Sequence, residues 1–311
     1  MIVPSARTDL VAHDLAEDDR TTNVVVLRGC AVRPEGDLVQ CEVTREAVSD
    51  VLGWLRAQGI YDDGSVVLSD VRAAPSKNAR GTERAAAGAP DDAIVWDAVL
   101  DSAYGEVRGS WSFYAFLTLA TAIASVAVVT DSSILVVGAM VVGPEFGVVA
   151  ALALGLAAAR VALVKDSSWL LLKGFVFAIA VTFALALIAR GVGWVELADV
   201  TGSRPLTGFI WRPDKWSAVV AVLAGTAGVL SQTAGRANAL VGVFISVTTV
   251  PAAGDFALSL ALGASEQLAG SAAQLGINLV GMTLAGVVTL LAQRGLWKLA
   301  RKPRNSELGG K

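Results

Sequence analysis

Two acidic residues stand inside long apolar stretches of this 311-residue chain, and each stands near a proline. Glu145 follows Pro144 directly in GAMVVGPEFG, and Asp255 lies four residues after Pro251 in SVTTVPAAGDF. A carboxylate near mid-bilayer costs roughly 2–3 kcal/mol even on lenient scales, so it is expected to face a cavity or a partner. Glu145 is therefore a candidate proton carrier. Proline removes an amide donor and clashes with the preceding turn, and Gly138, Gly143 and Gly147 loosen the helix further. Backbone groups freed at that depth are tolerated only where protein or water satisfies them. The expected ligand-lining set is Gly138, Met140, Gly143, Pro144, Glu145, Thr248, Thr249, Pro251, Asp255 and Asn278. The two threonines precede Pro251 and can bond the carbonyls it frees. Asn278 serves either as helix–helix glue or as pocket lining. Each break alone reads as a kink, and a shallow break would leave Glu145 at an interface. The pair of breaks, each with an acid, points to a site.

Other chemistries lack their residues. No hydrolase elbow, phosphate loop or Ser/His/Asp set occurs, and the single histidine, His13, lies in a polar leader, so the reading is of a non-enzyme. One histidine and two cysteines, Cys30 and Cys41, give no zinc spacing, and no metal or cofactor is expected.

The frame that must position those acids is divided by composition. Residues 1–108 carry 19 acidic and 11 basic side chains, net −8, whereas 109–311 carry 9 and 14, net +5. The chain is 54% hydrophobic and only 17% charged, well below the quarter or so usual for soluble domains. An acidic soluble part repels phosphate backbones, so nucleic acid is not an expected partner. The polar, acidic first twenty residues exclude a cleaved secretory signal.

Within the soluble part, residues 1–20 read as a mobile leader and 21–73 as an α+β domain. Asn23–Val32 and Leu38–Thr44 are strand-like. A two-residue Glu35-Gly36 loop would place Cys30 opposite Cys41 as a reduced pair. Arg45–Gln58 sets Val48, Val51, Leu52 and Leu55 on one helix face, Gly59 ends that helix, and Gly64–Ala73 is a third strand. Residues 74–110 read as a linker and amphipathic helix, 111–298 as the transmembrane domain, and 299–311 as a basic cytoplasmic tail.

Six spans are expected, near 113–129, 133–158, 169–190, 216–232, 237–263 and 271–293. Trp111, Trp169, Trp194, Trp211, Trp216 and Trp297, six of the eight tryptophans, mark segment edges as an aromatic belt does. Arg108, Arg160, Lys165, Lys173, Arg236 and the tail share one side. Arg190, Arg204, Arg212 and Lys215 share the other. This bias predicts cytoplasmic termini and an outward loop 191–215.

The domain also reads as two units of three spans, opening at Trp111-Ser112 and Trp216-Ser217 with a proline midway in each second span. An odd number of spans forces the units into opposite orientation, and inverted repeats with interrupted helices are the usual mark of a secondary transporter. Gly276, Gly281 and Gly286 with Ala272 and Ala285 permit close packing.

Three stretches, DSSILVVGAMVVGPEFG (131–147), 223–257 and AAQLGINLVG (272–281), resemble the bacterial hydrophobic membrane proteins grouped as domain of unknown function 389, and VQCEVTREAVSDVLGWLRAQGI (39–60) resembles actinobacterial members. The resemblance implies a membrane domain preceded by a small cytoplasmic domain, and neither activity nor substrate. The expected fold is thus a polytopic α-helical membrane protein of inverted three-helix repeats with an N-terminal α+β domain, multi-pass in the inner (plasma) membrane. The expected function is a secondary transporter or channel-like permease for a small solute or ion. Its partners are the lipid bilayer, that solute, and further copies in a homo-oligomer. The alternative is a non-transporting sensor or scaffold with the cytoplasmic domain as receiver.

Overall fold

The computed structural model describes residues 1–69, 71, 74–86, 93–233 and 249–300. The chain divides into two compact units, Met1–Val99 and Leu100–Lys311.

The first unit is built on a three-stranded antiparallel sheet in the order β1-β3-β2, with β1 Ile2–Val3, β2 Thr21–Val32 and β3 Glu35–Val43. Its helices are α1 (Thr8–Glu17), α2 (Arg45–Ala57), α3 (Ile60–Asp63) and α4 (Lys77–Ala85). The apolar face of α2 packs as its periodicity requires: Val51, Leu52 and Leu55 join Val3, Val11, Leu15, Val39 and Ile60 in one core, with Val48 at its edge. Gly59 adopts φ 71° just past that helix, a left-handed position that glycine takes without a Cβ penalty.

Three expectations fail here. The leader is not mobile along its length: Val3 and Val11 are fully buried, and β1 pairs with β3 through Ile2↔Leu38 and Val3↔Asp37. Two apolar residues are too few to announce a strand, yet they cover an edge of β3 that would otherwise expose unpaired amides. The third strand is therefore β1 and not 64–73, which among the described residues contributes one bridge, Ile2↔Ser65. Residues 74–110, read as linker, include α4, capped by the Ser76 hydroxyl on the Ala79 amide at 3.1 Å.

The hairpin register also differs. The loop is Arg33-Pro34, because Val32 pairs with Glu35 and Ala31 with Gly36. Proline has no ladder donor and suits the loop. Gly36 is needed in the strand, since a Cβ there would strike the Val3 carbonyl. Irregularities between Thr22 and Val25 and between Leu27 and Ala31 then shift the pairing. Cys41 falls opposite the first and Cys30 falls within the second, so the two are not partners; both are free thiols.

The second unit is helical. After α5 (Trp96–Glu106) come α6 (Trp111–Val129), α7 (Ser133–Val142), α8 (Glu145–Ala157), α9 (Val161–Gly191), α10 (Leu197–Thr201), α11 (Lys215–Thr233), α12 (Thr249–Leu262) and α13 (Ser265–Ala300). Four of these, α6, α9, α11 and α13, are long and apolar enough to cross a membrane, and α7 with α8 makes a fifth, bent by 58°. The expected span at 237–263 coincides with the shorter α12; its part at 237–248 lies outside the described residues, as do Arg236 and Asn238. Exposed apolar side chains such as Phe116, Ile134, Val176, Val222, Leu284 and Val288 face outward, as a lipid-facing surface requires. Helix α12 is the opposite case. Only Phe256 and Leu260 among its residues escape burial, and it packs against α6, α9 and α13. Gly254 allows this, since a Cβ there would come within 2.7 Å of the Ala124 Cβ and 2.8 Å of the Thr121 carbonyl oxygen.

Burial pushes the Cys41 thiol above its ordinary range, which lowers its thiolate population and its reactivity, while Cys30 is exposed. Iodoacetamide at near-neutral pH is expected to alkylate Cys30 about tenfold faster than Cys41, read by peptide mass spectrometry. Equal rates, or a Cys30–Cys41 disulfide after mild oxidation, would contradict the register.

Candidate functional site

The site begins where α7 stops. Gly143 leaves the helix at φ −65°, ψ 125°, and Pro144 at φ −93°, ψ 1° precedes the first turn of α8. Glu145 is the first residue of α8 and only 1% exposed. Amides without helical partners and the positive end of the helix dipole favour a carboxylate at that position. Its Oε1 accepts a hydrogen bond of 2.8 Å from the Thr249 hydroxyl, at the first described residue of α12. Pro251, two residues on, is buried within α12. Next to Glu145 in the same turn, a side chain at Gly147 would meet the Glu106 carboxyl group at the end of α5.

Asp255 lies six residues along α12 from Thr249, a rise of about 9 Å. It is fully buried and held by two groups: Arg204 Nη1 donates to Oδ1 at 2.7 Å, and the Ser271 hydroxyl of α13 donates to Oδ2. Sequence places Arg204 on a solvated loop. Instead its side chain is 3% exposed, because residues 192–214 fold back onto the bundle: Val200, Thr207 and Ile210 are buried too. The Asp131 carboxylate fixes this loop, accepting from the Thr207 amide at 2.9 Å and hydroxyl at 2.8 Å and from the Leu206 amide at 3.2 Å.

Ser271, Gln274 and Asn278 are all fully buried. At spacings of three and four residues they share one face of α13. Ser271 meets Asp255, and α12 and α13 are antiparallel neighbours joined at Gly263-Ala264. Asn278, about 10 Å further along α13, is therefore level with the Thr249 end of α12. Gln274 Nε2 donates to Asn278 Oδ1 at 3.4 Å; Gln274 Oε1 and Asn278 Nδ2 have no partner among the described residues. A buried polar face thus runs between the two carboxylates.

Of the expected set, Gly143, Pro144, Glu145 and Thr249 gather at the α7–α8 break, Pro251 is buried further along α12, and Asp255 and Asn278 stand on the polar face leading from the break. Gly138 does not join them: it lies exposed on the outer surface, where a Cβ would meet nothing within 4 Å. Met140 is buried among Val128, Val136, Ala186 and Ile210, an apolar setting. Thr248 lies outside the described residues. Sequence reasoning missed Ser271 and Gln274, whose signal was polar residues at helical spacing in an apolar span, and Arg204, which gave none. Among the described residues, no three His, Cys, Asp or Glu side chains gather as metal ligands.

Three contacts between distant segments are related by one offset in numbering. Glu145 and Thr249 are 104 residues apart. Arg190 donates to the Ala261 carbonyl at 2.8 Å, and Arg294 donates to the Ala157 carbonyl at 2.8 Å; the two arginines are 104 residues apart, and so are the two alanines. The packing follows suit, α8 against α9 and α13, and α12 against α13 and α9. The same separation carries position 145 onto position 249.

A family model described as a domain of unknown function, DUF389, matches residues 140–284, from Met140 in α7 to Leu284 in α13. No curated protein and no solved structure matches the chain.

Removing one partner of a buried ion pair leaves an uncompensated charge, typically costing about 3–5 kcal/mol, whereas replacing both with apolar groups is often near neutral. Asp255→Asn is expected to destabilise the membrane unit strongly, and Arg204→Met with Asp255→Leu to recover most of the loss, read from thermal unfolding in detergent. Equal unfolding midpoints for the wild type and Asp255→Asn would show that the pair carries little.

Proposed function

We propose that this chain, whose residues 140–284 belong to that family of unknown function, is a secondary transporter or channel-like permease for a small solute or ion, working between two inverted three-span halves. Six spans with both termini on the cytoplasmic side of the inner (plasma) membrane complete this reading. The observation that carries it is the 2.8 Å contact of Glu145 with Thr249. Under a two-fold relation, a residue that touches its own counterpart lies on the axis. The reciprocal Arg190–Ala261 and Arg294–Ala157 bonds support the same relation. Three spans per half make the halves antiparallel, so the axis lies in the membrane plane, where paired broken helices of transporters form their sites.

In this reading Glu145 takes up and releases a proton as its surroundings alternate between wet and dry, and Ser271, Gln274 and Asn278 supply donors and acceptors along the route towards Asp255. The N-terminal unit regulates or assembles the membrane unit.

Glu145→Gln keeps the shape and an oxygen that can accept from Thr249, and it removes the titrating group. In proteoliposomes enclosing a pH-sensitive dye, the wild type is expected to carry proton flux under an imposed gradient, and the variant to lose it by about tenfold or more while remaining folded and monodisperse. Equal flux from both proteins over about pH 5–9, or none from the wild type under any gradient, would overturn the reading.

A further inference from the structure

The Arg204–Asp255 pair is satisfied on one side only. Both oxygens of Asp255 are occupied, by Arg204 Nη1 and by the Ser271 hydroxyl. The guanidinium keeps two donors in reserve: Nε and Nη2 have no partner among the described residues, although the side chain is 3% exposed. These two groups form the side-on edge of the guanidinium, two parallel N–H donors spaced to match two oxygens of one carboxylate or phosphate. Leaving such donors buried and unmet opposes folding, so a partner that meets them is favoured. The Ser259 hydroxyl, one turn beyond Asp255 on the same face of α12, is likewise fully buried with no partner among the described residues. Asp255 holds the guanidinium by Nη1 and so fixes the direction in which the free edge points.

We propose that Arg204 binds an oxyanion, taking two oxygens of a carboxylate or phosphate on its Nε–Nη2 edge with the Ser259 hydroxyl beside it. The shared chemistry fits a small soluble anion or the phosphodiester of a lipid headgroup. This site does not depend on transport: its readout is equilibrium binding, so it can stand or fall apart from the flux carried through Glu145.

The test uses the full chain in detergent, with thermal unfolding followed at constant ionic strength. One arm adds inorganic phosphate or acetate against a chloride control, and the other adds phosphatidylglycerol to the micelles. A ligand that binds only the folded protein raises its unfolding midpoint saturably. The expected result is such a rise with phosphate or acetate if the anion is soluble, or with phosphatidylglycerol alone if it is a headgroup. Arg204→Lys keeps the charge facing Asp255 and loses the fork, and is expected to weaken binding by about tenfold or more. Should that variant fail to fold, Ser259→Ala, which removes only a hydroxyl, is expected to weaken binding in the same direction. No stabilisation of the wild type by phosphate, acetate or phosphatidylglycerol would overturn the proposal, and so would unchanged binding in whichever variant folds.

Discussion

A carboxylate cannot rest among apolar helices without a partner, and among its described residues this bundle buries two, Glu145 and Asp255. Much of the membrane unit's architecture follows from meeting that demand. Asp255 needs a cation, and the chain between α9 and α11 folds back to deliver Arg204 to it. That excursion in turn needs an anchor, which Asp131 provides through the Leu206 and Thr207 amides. Glu145 is treated differently: it occupies the first turn of α8, where the helix itself favours negative charge, and it takes the Thr249 hydroxyl as donor. Both arrangements converge on α12, which carries Asp255 and Thr249 and is buried along nearly its whole length.

Packing explains why that helix is central: along its described residues, Thr249–Leu262, only Phe256 and Leu260 are not buried. Small residues, Ala252, Ala253, Gly254 and Ala257, let α6 approach until the Ser125 hydroxyl reaches the Gly254 carbonyl at 2.9 Å. The bend between α7 and α8 serves the same end. A straight helix through Pro144 would carry Glu145 along with it, whereas the 58° turn starts a new helix at the carboxylate.

The features legible in the sequence were those with a strong local cause. Pro144 beside Gly143 breaks the helix because the backbone permits little else, and Glu145 stands out because charge in an apolar run is expensive. The α2 stripe of Val51, Leu52 and Leu55 was readable from periodicity alone. What stayed hidden depends on contacts distant in sequence. Arg204 looked like one more basic residue on an outer loop, and only the packing of 192–214 places it beside Asp255. The Cys30–Cys41 pairing failed because two strand irregularities and a loop at Arg33-Pro34 move the register. The spacing of the prolines did not foretell the contact either: Pro144 and Pro251 are 107 residues apart, whereas Glu145 meets Thr249 at a separation of 104.

The central claim is that the polar face of α13 is a route for solute, reached by water during turnover. Substituted cysteines test it most directly, in reconstituted protein lacking Cys30 and Cys41. A charged, membrane-impermeant thiol reagent is expected to modify Gln274→Cys and Asn278→Cys, and to leave Val280→Cys and Val288→Cys, whose native side chains face outward, essentially unmodified. Modification at the outward positions alone, or at none of the four, would mean that these polar side chains only hold helices together.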